Sequence, residues 1–579
     1  MLKPEWNLKI LCDCNKHIHN NTCMHGGHDE IMDGGATKRE TKWHTLQHNG
    51  IMFYPEYTKH DIPLLYDTKE VNLNIEAEEY ATYYADPKYD MYKNPKFNKN
   101  FWKDWSKLID KSLNITDFNK CDFSLIKKYL MDKKLEKKMT KKTPEELKLE
   151  KEEKNKLMEK YKYAIVDGKR QPIDNYIAEP PSLFIGRGCH PLSGRIKFRI
   201  QPEDVVINIG KGEPLPGDHK WGGVIHDNQI EWIASWQNNV TLKYNYSRFG
   251  KKSEFKMKSD IDKFDKARKL KRKIKKIREI NEKYISGSDD IKKQLATALY
   301  LIDTLAIRVG NEKGSDESDT VGATTLKVEN IKLLTNNIVE LDFLGKDSVR
   351  YHNKFVVTPE IYKNLEEYIK DKSQDDLLFD KISSLDLNKY LKRFMKGLTA
   401  KVFRTYNASS LFQKELDKIA IKYKDYDKDD LIDKILHEYA LANLKVAKLC
   451  NHQKAVAKNA SEKSKKINES LKELKRKLNK AKKTKSEYIE NNKDTKAINE
   501  KINKINLKIK KAKMKREING QSASLAIGTS RQNYIDPRIT ISFMKKTKLM
   551  DSLNKIFSQQ EIERFKWAID DPEIESYHF

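Results

Sequence analysis

Cysteine is scarce in this chain, and no long apolar run interrupts its polar texture. Six Cys are scattered through 579 residues, which excludes a disulfide-built scaffold and fits a reducing interior. No stretch approaches the roughly 20 consecutive apolar residues that a membrane-spanning helix needs. The opening MLKPEWNLKILCDCNK is too short and interrupted in its apolar part for a secretory leader, so none is expected. A phosphate loop of the form G-x-x-x-x-G-K-[ST] is also missing. Gly212 and Gly217 have its spacing, but Asp218 and His219 stand where the lysine and hydroxyl would have to be.

What the chain has in excess is positive charge. Lys and Arg number 113 against 85 Asp and Glu, for a net +28. With a pI near 9.4 this points to a polyanionic partner. Nucleic acid leads, and an anionic membrane surface is the competitor. Hydrophobic residues still make up 38%, enough for folded cores, while a mean hydropathy of −0.80 implies large solvated stretches. The length is too great for one core and suggests three or four domains.

Residues 1–41 read as an extension carrying Cys12, Cys14, His17, His19, Cys23, His25 and His28. These are ligand types for Zn²⁺, although their spacing matches no common finger and a disordered His-rich tail is the simpler alternative. Residues 42–250 have the texture of a mixed α/β domain, with aromatic-punctuated strands and turns. Within them a charged helical stretch, about Asp122 to Tyr163, breaks near Pro144; its Leu147, Leu149 and Leu157 are too sparse for a core stripe. Further on, Gly186 and Gly188 flank Arg187, letting the backbone approach a ligand while a guanidinium projects.

Residues 251–454 read as mainly helical. Phe264, Ala267, Leu270, Ile274 and Ile277 mark one helix face, and Lys266, Arg268, Lys271, Arg272, Lys275 and Arg278 fill the other. That narrow stripe suits packing plus phosphate contact, so Lys271 and Arg272 are candidate DNA-binding residues. An apolar helix from Leu295 is expected to end at Gly310, and a hairpin turn is expected at Gly345-Lys346. The acidic run Asp425, Asp427, Asp429 and Asp430 reads as helix N-terminal charge rather than a Mg²⁺ site.

Residues 455–520 form a separate module. Ile467, Leu471, Leu474, Leu478, Ala481 and Tyr488 keep heptad spacing, with only Lys485 breaking it, and Ile498, Ile502, Ile505, Ile509 and Ala512 repeat it after a turn. An antiparallel coiled-coil linker follows. Residues 458–519 hold 22 Lys and Arg against 8 Asp and Glu, so their net +14 is half the chain's charge. With one apolar seam it should project from the body. Residues 521–579 are a compact apolar tail opening on SRQNYIDPRIT, where Pro537 places Tyr534 near a boundary between elements.

Five segments in order, LAIRVGNEK with DTVG, DFLGKDSVRYHNK, GLTAKVFRTYNAS, LCNHQ and SRQNYIDPRIT, closely resemble eukaryotic-type DNA topoisomerase I, a type IB enzyme. Upstream, KCDFS, EPPSLFIGRGCHP, PEDVVINIGKG and HKWGGVIHDNQIEW resemble its core, so the likeness runs from about Lys42 to Phe579. One departure is the short Cys/His segment in place of the long charged N-terminal region of cellular members. Heavy Lys, Asn and Ile usage would suit an AT-rich genome, as in a protist or a large DNA virus.

The resemblance implies an α+β multidomain clamp around double-stranded DNA: a mixed α/β cap lobe, a mainly helical catalytic lobe, the coiled-coil linker and a small helical C-terminal domain. It implies a monomer in the nucleus (a viral or virion-associated origin being open) that needs neither membrane nor cofactor nor metal. Tyr534 would attack a backbone phosphate, with Arg308, Arg404 and His452 as donors to it and Lys346 as general acid. Arg187, Asp347 and Asn533 would flank the cleavage site. A tyrosine site-specific recombinase, or an architectural DNA binder without catalysis, is the alternative reading.

Overall fold

The computed structural model describes residues 40–140, 142–311, 320–424, 431–454 and 459–579. The Cys12–His28 cluster and the acidic run 425–430 lie outside them. The fold is mixed α/β and divides into two compact units, one ending at Ser259 and the other running from Asp260 to Phe579. Among the described residues no helix is long and apolar enough to cross a membrane.

The first unit contains a seven-stranded sheet in the order Leu46–His48, Tyr163–Val166, Lys169–Asp174, Tyr244–Phe249, Trp232–Gln237, Val205–Asn208, Gly223–Ile225. Its pairs are antiparallel except the last, which is parallel. Val205–Asn208 is buried at every position, as a strand covered on both faces should be. Trp43, Leu46, Ile207, Ile233 and Trp236 form the core against it. A second, aromatic cluster joins the helices Ile75–Ala85, Pro95–Trp105 and Ser124–Met139. There Phe101 stacks on Tyr84 at 4.4 Å and on Trp105 at 5.4 Å, and the Trp105 indole donates to Ala77 O at 2.8 Å. Burying the indole costs little because its one polar atom is paired.

The charged stretch resolves into two helices, Ser124–Met139 and Pro144–Glu159, the second opened by Pro144 and a Thr143/Glu146 capping box. Leu147, Leu149 and Leu157 are 54%, 59% and 65% exposed, so this helix has no core face. Gly186 and Gly188 both have positive φ, +70° and +59°, and hold Arg187 exposed between them.

Most of α1 (Glu254–Ile285) belongs to the second unit, where it buries the expected stripe of Phe264, Ala267, Leu270, Ile274 and Ile277. The next helix, α2 (Asp290–Leu305), stops earlier than Gly310, because Ala306 adopts a left-handed φ of 50°. The chain after it is extended and pairs with a second segment: Ala323 N donates to Arg308 O at 2.8 Å and Thr324 N to Val309 O at 2.6 Å. Gly310 instead serves close packing at a positive φ of +85°, since a Cβ on it would lie 2.5 Å from Thr325 Oγ1 and 2.9 Å from Gly322 Cα. A three-stranded antiparallel sheet follows, β1 (Ile331–Leu334), β2 (Ile338–Gly345) and β3 (Val349–Val356). Lys346, Asp347 and Ser348 make the β2–β3 turn, the last two with φ of 69° and 56°. The helices α3 (Ala400–Lys422) and α4 (Leu431–Leu449) complete the larger part of one continuous core.

Two long helices, α5 (Ala460–Glu490) and α6 (Lys496–Ser522), then pack on each other through all eleven heptad positions read from the sequence. They do not stand wholly clear. Ile518 near the end of α6 joins a small cluster with Leu444 and Ala447 of α4, and Lys511 pairs with Asp433. The chain ends with α7 (Ile527–Asn533), α8 (Pro537–Lys546) and short turns to Phe579.

Candidate active site

Four of the five candidate catalytic side chains converge in the second unit, each brought by a different local device. Tyr534 is the residue at which α7 ends, and Pro537 opens α8 three residues later, with the Asp536 carboxylate accepting from Arg538 N at 3.0 Å. Proline therefore starts a helix here, and Tyr534 lies in the short break between two. His452 lies just beyond the end of α4, after Asn451 at φ 49°. Its main-chain N–H donates to Ala447 O at 2.9 Å and its carbonyl accepts from Ala526 N at 2.7 Å. That second bond, with Lys454 N to Ser524 O at 2.8 Å, closes the root of the helical pair. It brings residues 452 and 534 together despite the long excursion between them.

Arg404, one turn into α3, is 4% exposed. Its Nη1 donates to Ala306 O, the carbonyl at the end of α2, and its Nη2 to Cys450 O at 3.0 Å. The guanidinium carbon is 5.1 Å from the centre of the Tyr534 ring. Nη2 also stands 3.4 Å from His452 Nε2, and the imidazole lies 5.1 Å from the phenol ring, tilted by 31°. Among the described residues Arg404 Nε has no hydrogen-bond partner, although it is buried. An unmet buried donor costs about 1–3 kcal/mol, which an arriving anion would relieve.

Arg308 occupies the extended segment after α2. Burial lowers its pKa most, and the Arg404 charge lowers it further, while hydrogen bonding to Tyr534 and the charges of Tyr534 and Asp347 oppose them. The same two guanidinium groups, after burial, push His452 down to about 3. The imidazole is therefore neutral at neutral pH, with one N–H and one lone pair. Its Nδ1 lies 2.7 Å from Ser530 Oγ.

Lys346 and Asp347 are exposed at the tip of the β2–β3 hairpin. The hairpin is bonded to the His452 loop, since Arg350 O accepts from Asn451 Nδ2 at 3.2 Å and from Gln453 Nε2 at 3.0 Å. Leu344 O also accepts from Val321 N at 2.7 Å. Asp347 is near enough to act on Arg308, whereas Lys346 is turned to solvent.

The remaining candidates are dispersed. Asn533 is exposed, and its amide donates to Thr529 O at 3.1 Å within α7. On α1, Arg272 is exposed, while Lys271 donates to the main-chain oxygen of Phe579 and lies 5.7 Å from that ring. Arg187 belongs to the first unit. Among the described residues no three His, Cys, Asp or Glu side chains come together to hold a metal. Sequence reading missed Ser409 and Ser530, both fully buried. Each stands inside a quoted motif, but a serine in a helix has no pattern of its own to mark it.

Comparison with known proteins covers nearly all of this. Residues 252–485 match the family described as eukaryotic DNA topoisomerase I, catalytic core. Residues 41–249 match its DNA binding fragment, and 499–579 the C-terminal topoisomerase domain. The chain is 41% identical over 555 residues to DNA topoisomerase 1 beta of Arabidopsis thaliana, covering 92% of this chain and 59% of that protein. DNA topoisomerase 1 of Caenorhabditis elegans is 41% identical over 91% of the chain and 67% of its own length. That of Homo sapiens is 38% identical over 93% and 72% respectively. These relatives are eukaryotic and lend no support to a viral source.

Proposed function

From the premise that the chain belongs to the eukaryotic DNA topoisomerase I family, we propose that it relaxes supercoiled duplex DNA by transient cleavage of one strand. The observation that carries this reading is the meeting of Arg308, Arg404 and His452 around the Tyr534 ring. A phenol beside fixed cations is suited to attack a phosphodiester.

In this reading the Tyr534 Oη–P bond forms as the P–O5′ bond breaks, leaving a 3′-phosphotyrosyl link and a 5′-hydroxyl. The phenol proton leaves to water. Lys346 supplies the proton to the 5′-oxygen once DNA draws the hairpin tip inward. Arg308 and Arg404 donate to the non-bridging oxygens, where negative charge grows in the transition state. The otherwise unmet Arg404 Nε–H supports that role. His452 adds a neutral N–H, consistent with its strongly lowered pKa. Because the phosphoester is conserved in the link, the 5′-hydroxyl can reverse the step without ATP, and four such donors can act without an obligatory metal.

The chain would act as a monomer clamped on the duplex in the nucleus, with residues 42–250 as the cap lobe, 251–454 as the catalytic lobe and 521–579 as the domain bearing Tyr534. Arg187, Asp347 and Asn533 would flank the cleaved phosphate, and Lys271 and Arg272 would meet the DNA backbone. The basic α5–α6 pair, the linker of residues 455–520, would lie beside the downstream duplex and slow its rotation.

The test is relaxation of a random supercoiled plasmid, without ATP or Mg²⁺, by the wild type and Tyr534→Phe. Relaxation with a covalent protein–DNA adduct by the wild type alone is the expected result. Equal relaxation by both, or no adduct in the wild type, would overturn the proposal. Strict dependence on one sequence and a tetramer would favour a recombinase.

A further inference from the structure

Ser530 holds the two most dissimilar members of the site at once. Its main-chain oxygen accepts from Tyr534 N at 2.9 Å and Ile535 N at 3.0 Å, fixing the end of α7. Its hydroxyl lies 2.7 Å from His452 Nδ1, and the side chain is fully buried. Resting on the mechanism above, we propose that Ser530 is the positioning residue that keeps His452 Nε2–H turned to the reacting phosphate.

The argument is one of satisfying both ring nitrogens. A neutral imidazole carries a single proton, so it can donate from Nε2 only if Nδ1 is the acceptor. The Ser530 O–H is placed to donate to Nδ1 and so favours that tautomer. Nε2 also lies 3.4 Å from the Arg404 Nη2 donor, a contact that favours the other tautomer, with the lone pair on Nε2 and the proton on Nδ1. A hydroxyl can accept as well as donate, so Ser530 pairs with Nδ1 in either tautomer. An alanine leaves Nδ1 with neither, in a pocket already crowded by two guanidinium groups. A threonine keeps the hydroxyl. A cysteine keeps the size but offers only a weak donor.

The experiment measures single-turnover cleavage of a short duplex, with thermal unfolding, for Ser530→Ala, Ser530→Thr and Ser530→Cys, each also combined with His452→Gln. With His452 present, Ser530→Ala and Ser530→Cys should slow cleavage about tenfold, the worth of roughly one buried hydrogen bond. Ser530→Thr should stay within about threefold of the wild type, allowing for its extra methyl in a buried site. In the His452→Gln background Ser530→Ala should cost less than about twofold, because residues acting as a unit are not additive. Unchanged cleavage in Ser530→Ala, or the same tenfold loss without His452, would overturn the proposal. Should Ser530→Ala fail to fold, Ser530→Cys decides in the same way. Absence of any adduct in the wild type would instead remove the underlying reading of Tyr534.

Discussion

The hydroxyl of Ser409 lies 3.0 Å from the main-chain oxygen of Tyr534 and accepts from Asp536 N at 3.1 Å. Ser409 is five residues after Arg404 on α3, so one helix supplies a cation to the phenol ring and grips the backbone that carries it. Ser409→Ala should therefore loosen the nucleophile as well as leave a buried carbonyl unpaired, at about 1–3 kcal/mol. A lowered unfolding midpoint together with a loss of about tenfold in adduct formation is expected. Wild-type values for both would show that the contact is incidental.

Arg404→Lys should fail to substitute. A lysine ammonium cannot reach the carbonyls of Ala306 and Cys450 from a flat fork while also facing Tyr534. Cleavage should fall about 100- to 1000-fold, the usual effect of losing one fixed donor to the transition state. DNA affinity, measured by filter retention, should change little because the formal charge is kept.

Acid should destabilise the protein before its carboxylates titrate. Burial lowers His48 to about 4 despite the hydrogen bond to Asn208, and His452 sits near 3. Both folded values lie below the ordinary 6.5, so the unfolded chain binds more protons in this range. The stability due to these neutral rings is fully present above pH 6.5 and is lost as pH falls towards 4 and 3. For His48 alone the full loss is on the order of 3 kcal/mol. His48→Gln should show a shallower decline in urea stability between pH 6.5 and 4.5, and an unchanged slope would count against this assignment.

The helical pair should set the salt response of binding. Lys472, Lys475, Lys513 and Arg516 line one shallow groove along α5 and α6. Replacing all four by Gln should reduce the slope of log affinity against log salt by about 0.9 for each one that contacts a phosphate. A titration of duplex binding from low to moderate salt measures it, and an unaltered slope would take the helical pair off the DNA.

Periodicity was informative where burial decides structure. The stripe on α1 and the apolar heptad positions of α5 and α6 could be read directly, because apolar side chains at a helical spacing have one way to leave water. The motifs also gave the residues that meet around Tyr534. What the sequence hid were features settled by long-range contact. The early end of α2 depends on Ala306 adopting a left-handed conformation that glycine, not alanine, usually signals. The hydrogen bond from Lys271 on α1 to the main-chain oxygen of Phe579, 308 residues away, is a tie that no local pattern reports. Ser409 and Ser530 were invisible for the same reason.

At the root of the helical pair, Gln453 bridges Leu525, flanked by the bonds Lys454 to Ser524 and Ala526 to His452. These contacts tie the two ends of the excursion through α5 and α6 directly to each other, beside His452. The length of that excursion is then a free variable. Adding or removing turns at its tip, between Glu490 and Lys496, should leave the reacting groups in register. The fold thus separates the part of the molecule that must be exact from a part that evolution, or an engineer, can resize.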